Sequence, residues 1–112
     1  MGVNFSYCTA HWTYSFFHRF REKLANAVGI DLNQMEGFGG DHLFSDYQDA
    51  IIPLLQHSDC EGELSAEECS RVAPRLREIV ASWIGDPDQV EAGLLAKGME
   101  RAAQLNKPFY FC

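Results

Sequence analysis

Five acidic side chains and a glycine lie in one short stretch of the chain, between residues 57 and 68. Four of these carboxylates form a ladder that ends inside a predicted helix, at Asp59, Glu61, Glu63 and Glu68. Carboxylate oxygens at such close spacing suit a hard divalent cation such as calcium, which prefers oxygen ligands. Gly62 lies within the ladder, where it allows the chain to turn sharply. These four acidic residues are therefore the candidate metal site.

Aligned on Gly62, residues 57–68 resemble the calcium-binding loop of EF-hand proteins. That loop places oxygen ligands at its first, third, fifth, seventh and twelfth positions and a glycine at its sixth. The matching residues are Asp59, Glu61, Gly62, Glu63 (through its backbone carbonyl) and Glu68. His57 occupies the first position, where the pattern requires Asp, and an imidazole is a poor ligand for a hard cation. The resemblance therefore implies at most a weak calcium site.

The same residues also describe the start of a helix that needs no metal. Ser65 and Glu68 have the spacing of a capping box, in which the side chain of each accepts a hydrogen bond from the backbone N–H of the other. Leu64 before the cap and Cys69 inside the helix fit a hydrophobic staple. Because short motif matches are often accidental, we favour the capped turn over the metal site.

The stretch from His57 to Leu64 carries a second resemblance. It reads His-Ser-Asp-Cys-Glu-Gly-Glu-Leu. In this it resembles a segment of small bacterial and phage proteins of unknown function, in which Asp or Glu follows the cysteine. This resemblance is confined to the one stretch, and it implies no activity, cofactor or partner.

Length and composition indicate one globular domain, which we predict to span residues 1–112. Hydrophobic residues make up 46% of the chain and charged residues 22%, as is typical of a protein with a packed core. No run approaches the roughly 20 apolar residues that span a membrane, and no basic-then-apolar leader opens the chain. We therefore expect a cytoplasmic protein with no membrane partner.

The charges are distributed unevenly along the chain. The net charge is −7, and residues 31–68 contain ten Asp or Glu residues but no Lys or Arg. Nucleic-acid partners are disfavoured, because neutralising phosphates requires a basic surface. An acidic face over residues 31–68 suits cations or a basic protein partner. The alternative is that the acidic surface serves only solubility.

The cysteines and the known catalytic motifs give no sign of an enzyme. The four cysteines, at positions 8, 60, 69 and 112, form no Cys-x-x-Cys pair and are expected to be reduced thiols. Zinc binding by His57, Cys60 and Cys69 is disfavoured, because the gap between the two cysteines matches no common ligand spacing. Gly-x-Ser-x-Gly and His-Glu-x-x-His are absent from the sequence, so we predict a protein without catalytic activity.

Periodic apolar residues predict four helices, of which the first runs from about residue 11 to 28 and ends at Gly29. Its apolar stripe is Trp12, Phe16, Phe17, Phe20, Leu24 and Val28. Residues 30–44 are expected to form an irregular surface loop. A short helix is expected between residues 47 and 57, starting near Pro53, because proline suits the first helical turn.

The third helix is expected to follow the Ser65 cap as far as about residue 84, with Pro74 kinking or restarting it. The next three residues end this helix, cap the fourth and begin it: they are Gly85, Asp86 and Pro87. The fourth helix runs to about residue 105. Its inward side is predicted to consist of Val90, Leu94, Leu95, Ala102 and Leu105.

The two terminal segments are strand-like, since residues 3–7 alternate apolar and polar side chains and residues 108–112 are rich in aromatics. We expect them to pair, which would bring Cys8 near Cys112.

The predicted fold is a mainly α domain of about four helices with a short two-stranded sheet joining the N- and C-terminal segments. The predicted function is a non-enzymatic interaction domain that presents the acidic face (31–68) to a protein partner. The alternative is a weak calcium-binding module.

Overall fold

The computed structural model describes residues 2–36, 38–56 and 62–111. Within them the chain forms the helices α1 (Tyr14–Ala27), α2 (Ile52–Gln56), α3 (Ala66–Val80) and α4 (Pro87–Leu105). Two short strands, β1 (Glu63–Leu64) and β2 (Phe109–Tyr110), pair antiparallel. The prediction of a mainly α domain of four helices with one small sheet is therefore confirmed. Among the described residues, no helix combines the length and the apolar character that crossing a membrane requires.

Helix α1 begins at a hydroxyl cap and ends before a glycine. The Thr13 hydroxyl accepts a hydrogen bond from the Phe16 N–H at 3.3 Å, and Gly29 follows the helix with a left-handed φ of 80°. The buried residues are Phe17, Phe20, Arg21, Leu24 and Ala25. Phe16 is 55% exposed, so the prediction that it faces the core is wrong. A strict four-residue spacing advances about 40° per step around a helix and drifts off one face.

Helix α3 starts with the predicted capping box. The Glu68 N–H donates to the Ser65 hydroxyl at 3.1 Å, and the Ser65 N–H donates to the Glu68 carboxylate at 2.9 Å. Leu64 and Cys69, the two residues of the predicted staple, are both buried. The helix continues through Pro74 without a restart and ends at Val80, several residues before the predicted end.

Helix α4 packs along α3, and this helix pair makes the most extensive contacts between elements of the fold. The Asp86 carboxylate accepts a hydrogen bond from the Asp88 N–H at 2.9 Å, and Pro87 occupies the first helical position, as predicted. The buried residues are Ala92, Leu95, Ala96, Gly98, Met99 and Ala102. Val90 and Leu105 are 66% and 40% exposed, so their predicted inward position is wrong.

The C-terminal tail joins two other segments. Strand β2 pairs with β1, whereas the predicted pairing of the two termini is present as a single bridge between Phe5 and Phe111. Next to this bridge, the Ser6 N–H donates to the Tyr110 carbonyl at 3.0 Å. The two-stranded sheet therefore links the middle of the chain to its end. The predicted approach of Cys8 to Cys112 falls outside the described residues, because Cys112 is not among them.

Six buried aromatic residues form the part of the core that we call the aromatic cluster: Phe5, Trp12, Phe17, Phe20, Phe109 and Phe111. The Trp12 and Phe20 rings stack with centroids 4.5 Å apart, and the Phe5 and Phe111 rings meet edge to face at 5.1 Å. The cluster thus connects the N-terminal arm, α1 and the C-terminal tail. The irregular segment 30–51 also adds buried side chains to the core, namely Ile30, Leu32, Met35, Phe44 and Ile51.

Candidate functional site

The predicted metal site is only partly covered by the described residues. Asp59 and Glu61 lie outside them, as does His57. Glu63 is exposed on β1, and the Glu68 carboxylate is engaged in the capping box at the start of α3. Among the residues that the structure describes, no group of three or more His, Cys, Asp or Glu side chains is placed to hold a metal ion. The calcium site therefore stays a prediction.

The predicted acidic face, residues 31–68, divides into two parts that differ in how their charges are used. In the later part, Asp49 accepts two hydrogen bonds from the Arg75 guanidinium, both at 3.0 Å. These hydrogen bonds hold the pKa of the Asp49 carboxyl below its usual range. Glu68 is occupied by its cap, and Glu67 lies 3.7 Å from Arg71. Among the described residues of the later part, Asp49, Glu67 and Glu68 therefore each have a partner within the fold.

The earlier part, residues 31–46, is the segment that we call the acidic loop. Its acidic residues are Asp31, Glu36, Asp41 and Asp46, and all four are exposed. Asp31 accepts a hydrogen bond from the Asn33 N–H at 3.2 Å. The side chains of the other three have no hydrogen-bond or ion-pair partner among residues 2–36, 38–56 and 62–111. The acidic loop therefore presents three carboxylates to solvent.

The backbone of the acidic loop is held in place from both sides. Met35 and His42 form a parallel bridge, and the Glu36 N–H donates to the His42 carbonyl at 2.8 Å. Short 3-10 turns at residues 32–34 and 44–46 flank this bridge. Buried side chains anchor the loop to the core at Leu32, Met35 and Phe44. The three carboxylates are thus displayed on an ordered scaffold.

Arg21 is a buried cation whose role the sequence analysis missed. Its guanidinium lies over the rings of Phe17 and Phe38, at 4.8 and 5.4 Å from their centroids. It also donates to the carbonyls of Leu54 and Leu55, in the last turn of α2, at 3.5 and 3.3 Å. Arg21 therefore joins α1, the acidic loop and α2. Its spacing from Phe17 and Leu24 places it on the buried face, and that signal was present in the sequence.

The sequence analysis also missed a groove between residues 7–9 and α4. Its volume is about 600 Å³, and its walls include Tyr7, Cys8, Leu94, Lys97, Arg101 and Gln104. The spacing of Lys97 and Arg101, one helical turn, is visible in the sequence. The opposite wall of the groove is formed by residues 7–9, which are far from α4 in the chain, so no local pattern indicates the groove. Burial raises the pKa of the Cys8 thiol, so this thiol is neutral at pH 7.

Two surfaces thus stand out on the described part of the chain, the acidic loop and the groove beside α4. They differ in charge, since the loop contains no Lys or Arg and the groove contains one of each. No family model, no curated protein and no solved structure matches this chain.

Proposed function

We propose that this chain is a non-enzymatic interaction domain whose acidic loop (residues 31–46) binds a basic protein partner. The observation that carries the proposal is the contrast within the acidic segment. Glu36, Asp41 and Asp46 extend to solvent without a partner among the described residues, whereas Asp49 and Glu68 are used inside the fold. Lysine and arginine side chains of a partner would complement these carboxylates and accelerate association.

An apolar residue and a fixed backbone support the choice of this loop. Leu43 is 46% exposed and lies between Asp41 and Asp46 in the chain. Protein interfaces commonly place apolar side chains at the centre and charged groups at the rim. Because buried anchors order the loop, less conformational freedom is lost when a partner binds. The proposal narrows the predicted acidic face from residues 31–68 to residues 31–46.

Solubility is the competing explanation of an acidic surface, and the two explanations require different arrangements of charge. Solubility depends on net charge wherever the charges lie, whereas a docking site depends on their position. Two variants with the same change of net charge therefore separate the two explanations. One variant carries the charge change in the acidic loop, and the other carries it elsewhere on the exposed surface.

The loop variant combines Glu36→Gln, Asp41→Asn and Asp46→Asn. The control combines Glu67→Gln, Ser70→Lys and Ala81→Lys, three exposed positions outside the acidic loop. Each set raises the net charge from −7 by three charges. The wild type and both variants are immobilised and exposed to an extract of the source cell at about 50 mM salt, then washed at about 300 mM. Basic proteins recovered at low salt are purified and titrated against all three by calorimetry.

We expect a basic protein that binds the wild type and the control but binds the loop variant at least about tenfold more weakly. Its affinity should fall with salt, because exposed charges are screened. Equal binding to the loop variant and the control would show that net charge alone is responsible. Failure to recover any basic protein at low salt would also contradict the proposal.

A further inference from the structure

The groove beside α4 has the dimensions of a small-ligand site. It encloses about 600 Å³ between residues 7–9 and the exposed face of α4. Ligand sites usually measure about 300–1,000 Å³ and combine apolar walls with a few convergent polar groups. Leu94 and the ring of Tyr7 supply apolar surface here, and Gln104 supplies a polar side chain.

Two cations of α4 contribute to the wall of this groove. Lys97 and Arg101 are exposed, line the groove and lie one helical turn apart. Within the described part of the chain, neither has a hydrogen-bond or ion-pair partner. Most other basic side chains are engaged, as Lys23 is with Asp86 and Asp88 at 2.5 and 2.8 Å. The pair in the groove is therefore available to a ligand.

The one acidic residue in the groove wall is already neutralised. Glu100 lies between Lys97 and Arg101 in the chain, but both of its carboxylate oxygens accept hydrogen bonds from Arg77 on α3. The two distances are 2.8 and 2.7 Å, the geometry of a bidentate Arg–carboxylate pair. Arg77 thus offsets the charge of Glu100, and among the described residues Lys97 and Arg101 remain as the unpaired charges of the groove wall on a molecule whose net charge is −7.

Tyr7 is held in the groove wall in a strained backbone conformation. Its φ of 62° lies in the left-handed region, which residues other than glycine rarely adopt. On one side of it, Ser6 is hydrogen-bonded to Tyr110, and on the other, Cys8 packs against Gly98. Tyr7 nevertheless remains 43% exposed. Strain of this kind concentrates at binding and catalytic sites, where the surrounding structure maintains it.

We propose that the groove binds a small molecule that carries an oxyanion, a carboxylate or a phosphate, on an apolar or aromatic body. The oxyanion lies between Lys97 and Arg101, whose guanidinium can bind two of its oxygens at once. The body packs on the Tyr7 ring and on Leu94. This site is distinct from the acidic loop and takes the opposite charge.

The test uses three simple probes in a buffer free of phosphate: phenyl phosphate, benzoate and the uncharged benzyl alcohol. Binding is followed by chemical-shift changes in the spectrum of the labelled full chain. The site variant is Lys97→Gln/Arg101→Gln. The matched control is Arg71→Gln/Lys107→Gln, which removes the same charge from two exposed positions that do not line this groove.

Phenyl phosphate, benzoate or both should bind the wild type and the control, with dissociation constants of about 0.1–5 mM for molecules of this size. Stronger binding of one of the two identifies the oxyanion. The site variant should lose at least about tenfold in affinity, and benzyl alcohol should bind no better to the wild type than to the site variant. The anion that binds should also slow the alkylation of Cys8 by iodoacetamide, read by mass spectrometry of the modified peptide.

Three results would overturn the proposal. The first is equal binding of the anion to the site variant and to the control. The second is equal binding of benzyl alcohol and the anions, which would make the charges irrelevant. The third is that neither anion binds at concentrations up to about 20 mM. Binding of a long acidic peptide would not rescue the proposal, because the groove would then recognise a macromolecule and not a small molecule.

Discussion

The helix pair α3–α4 and the aromatic cluster bury apolar surface in different ways. The helix pair is built from neighbouring segments of the chain and uses small and aliphatic residues such as Ala73, Leu76 and Ala96. The aromatic cluster brings together residues from opposite ends of the chain, including Phe5, Phe17 and Phe109. The helix pair therefore depends mainly on local structure, and the aromatic cluster on the closure of the whole fold.

The aromatic cluster is therefore expected to be more sensitive to substitution than the helix pair. A large ring in the cluster touches several segments at once, so its removal leaves a cavity that no single helix can fill. Phe5 alone contacts the rings of Trp12, Phe17, Phe109 and Phe111. In the helix pair, the small residues leave little volume to lose, and the close approach of neighbouring backbones matters more.

The largest expected effect is the loss of Phe20 from the aromatic cluster. Phe20 is fully buried, and we expect Phe20→Ala to lower the free energy of unfolding by about 3–5 kcal/mol. Trp83 is only half-buried, with its ring 6.1 Å from that of Phe20, so Trp83→Ala should cost less, about 1–2 kcal/mol. Urea unfolding of the three proteins measures both values.

Phe16→Ala is the matched control for Phe20→Ala, because Phe16 lies on the same helix but is 55% exposed. It should change the free energy of unfolding by no more than about 0.5 kcal/mol. If Phe16→Ala cost as much as Phe20→Ala, or if Phe20→Ala cost less than about 1 kcal/mol, the described position of α1 against the cluster would be incorrect.

Two glycines of α4 test the boundary between the helix pair and the aromatic cluster. A Cβ at Gly98 would stand 2.7 Å from the Cys8 Cβ and 3.0 Å from the Phe109 ring, so Gly98→Ala should destabilise by about 1–3 kcal/mol. A Cβ at Gly93 would meet nothing within 4 Å. Gly93→Ala should therefore stabilise the helix, by about 0.5–1 kcal/mol. Thermal unfolding of the two variants should give shifts of opposite sign, and shifts of the same sign would refute this account of Gly98.

The ion pair between Arg75 and Asp49 predicts a dependence of stability on pH. Because Arg75 lowers the pKa of Asp49 in the folded state, the pair stabilises the fold above the ordinary carboxyl pKa of about 3.9. That contribution is lost as the pH falls through the lower pKa of the folded state. Arg75→Gln should therefore cost about 1 kcal/mol at pH 7 and progressively less below about pH 4.

Arg71→Gln provides the comparison for Arg75→Gln, since Arg71 faces Glu67 across an exposed pair at 3.7 Å. Its effect should stay below about 0.5 kcal/mol across the pH range. Urea unfolding of both variants from pH 2 to pH 7 tests the two expectations. A cost of Arg75→Gln that stays constant with pH would mean that the charge of Asp49 does not contribute.

The smallest expected effect is that of calcium on the melting temperature. This measurement tests residues 57–68, which lie before and at the start of α3. We expect no resolvable change in the melting temperature of the wild type between millimolar calcium and chelator, since Glu68 already serves as a cap. If calcium does bind, His57 limits the dissociation constant to about 10⁻⁴–10⁻³ M or weaker. At about five times the dissociation constant, binding would add about 1 kcal/mol to stability.

Two variants decide between these outcomes. His57→Asp restores an oxygen ligand at the first loop position and should strengthen any calcium response, whereas Glu68→Gln should abolish it. If the wild type and His57→Asp both ignore calcium, the stretch acts only as a capped turn. A wild-type response that survives Glu68→Gln would place the ion at other residues.

Short-range features of the fold could be predicted from the sequence. The capping box of Ser65 and Glu68 and the start of α4 at Asp86 and Pro87 appear where they were expected, whereas α3 ends at Val80, before the predicted stop at Gly85. Each depends on hydrogen bonds or backbone preferences within a few residues, which the local sequence contains. The candidate metal residues were also predicted from a local pattern. Glu68 is found in the helix-capping role, which that pattern favours over metal binding.

The local sequence is sufficient to predict four helices, the N-terminal caps of α3 and α4 and the concentration of acidic residues before α3, because each arises from neighbours along the chain. Tertiary packing selects which of two adjacent aromatics, Phe16 or Phe17, enters the core. It also pairs Asp49 with Arg75 while Asp41 remains exposed, and it forms a groove where residues 7–9 meet α4. Those outcomes depend on segments far apart in the chain, and their packing is encoded in no local pattern.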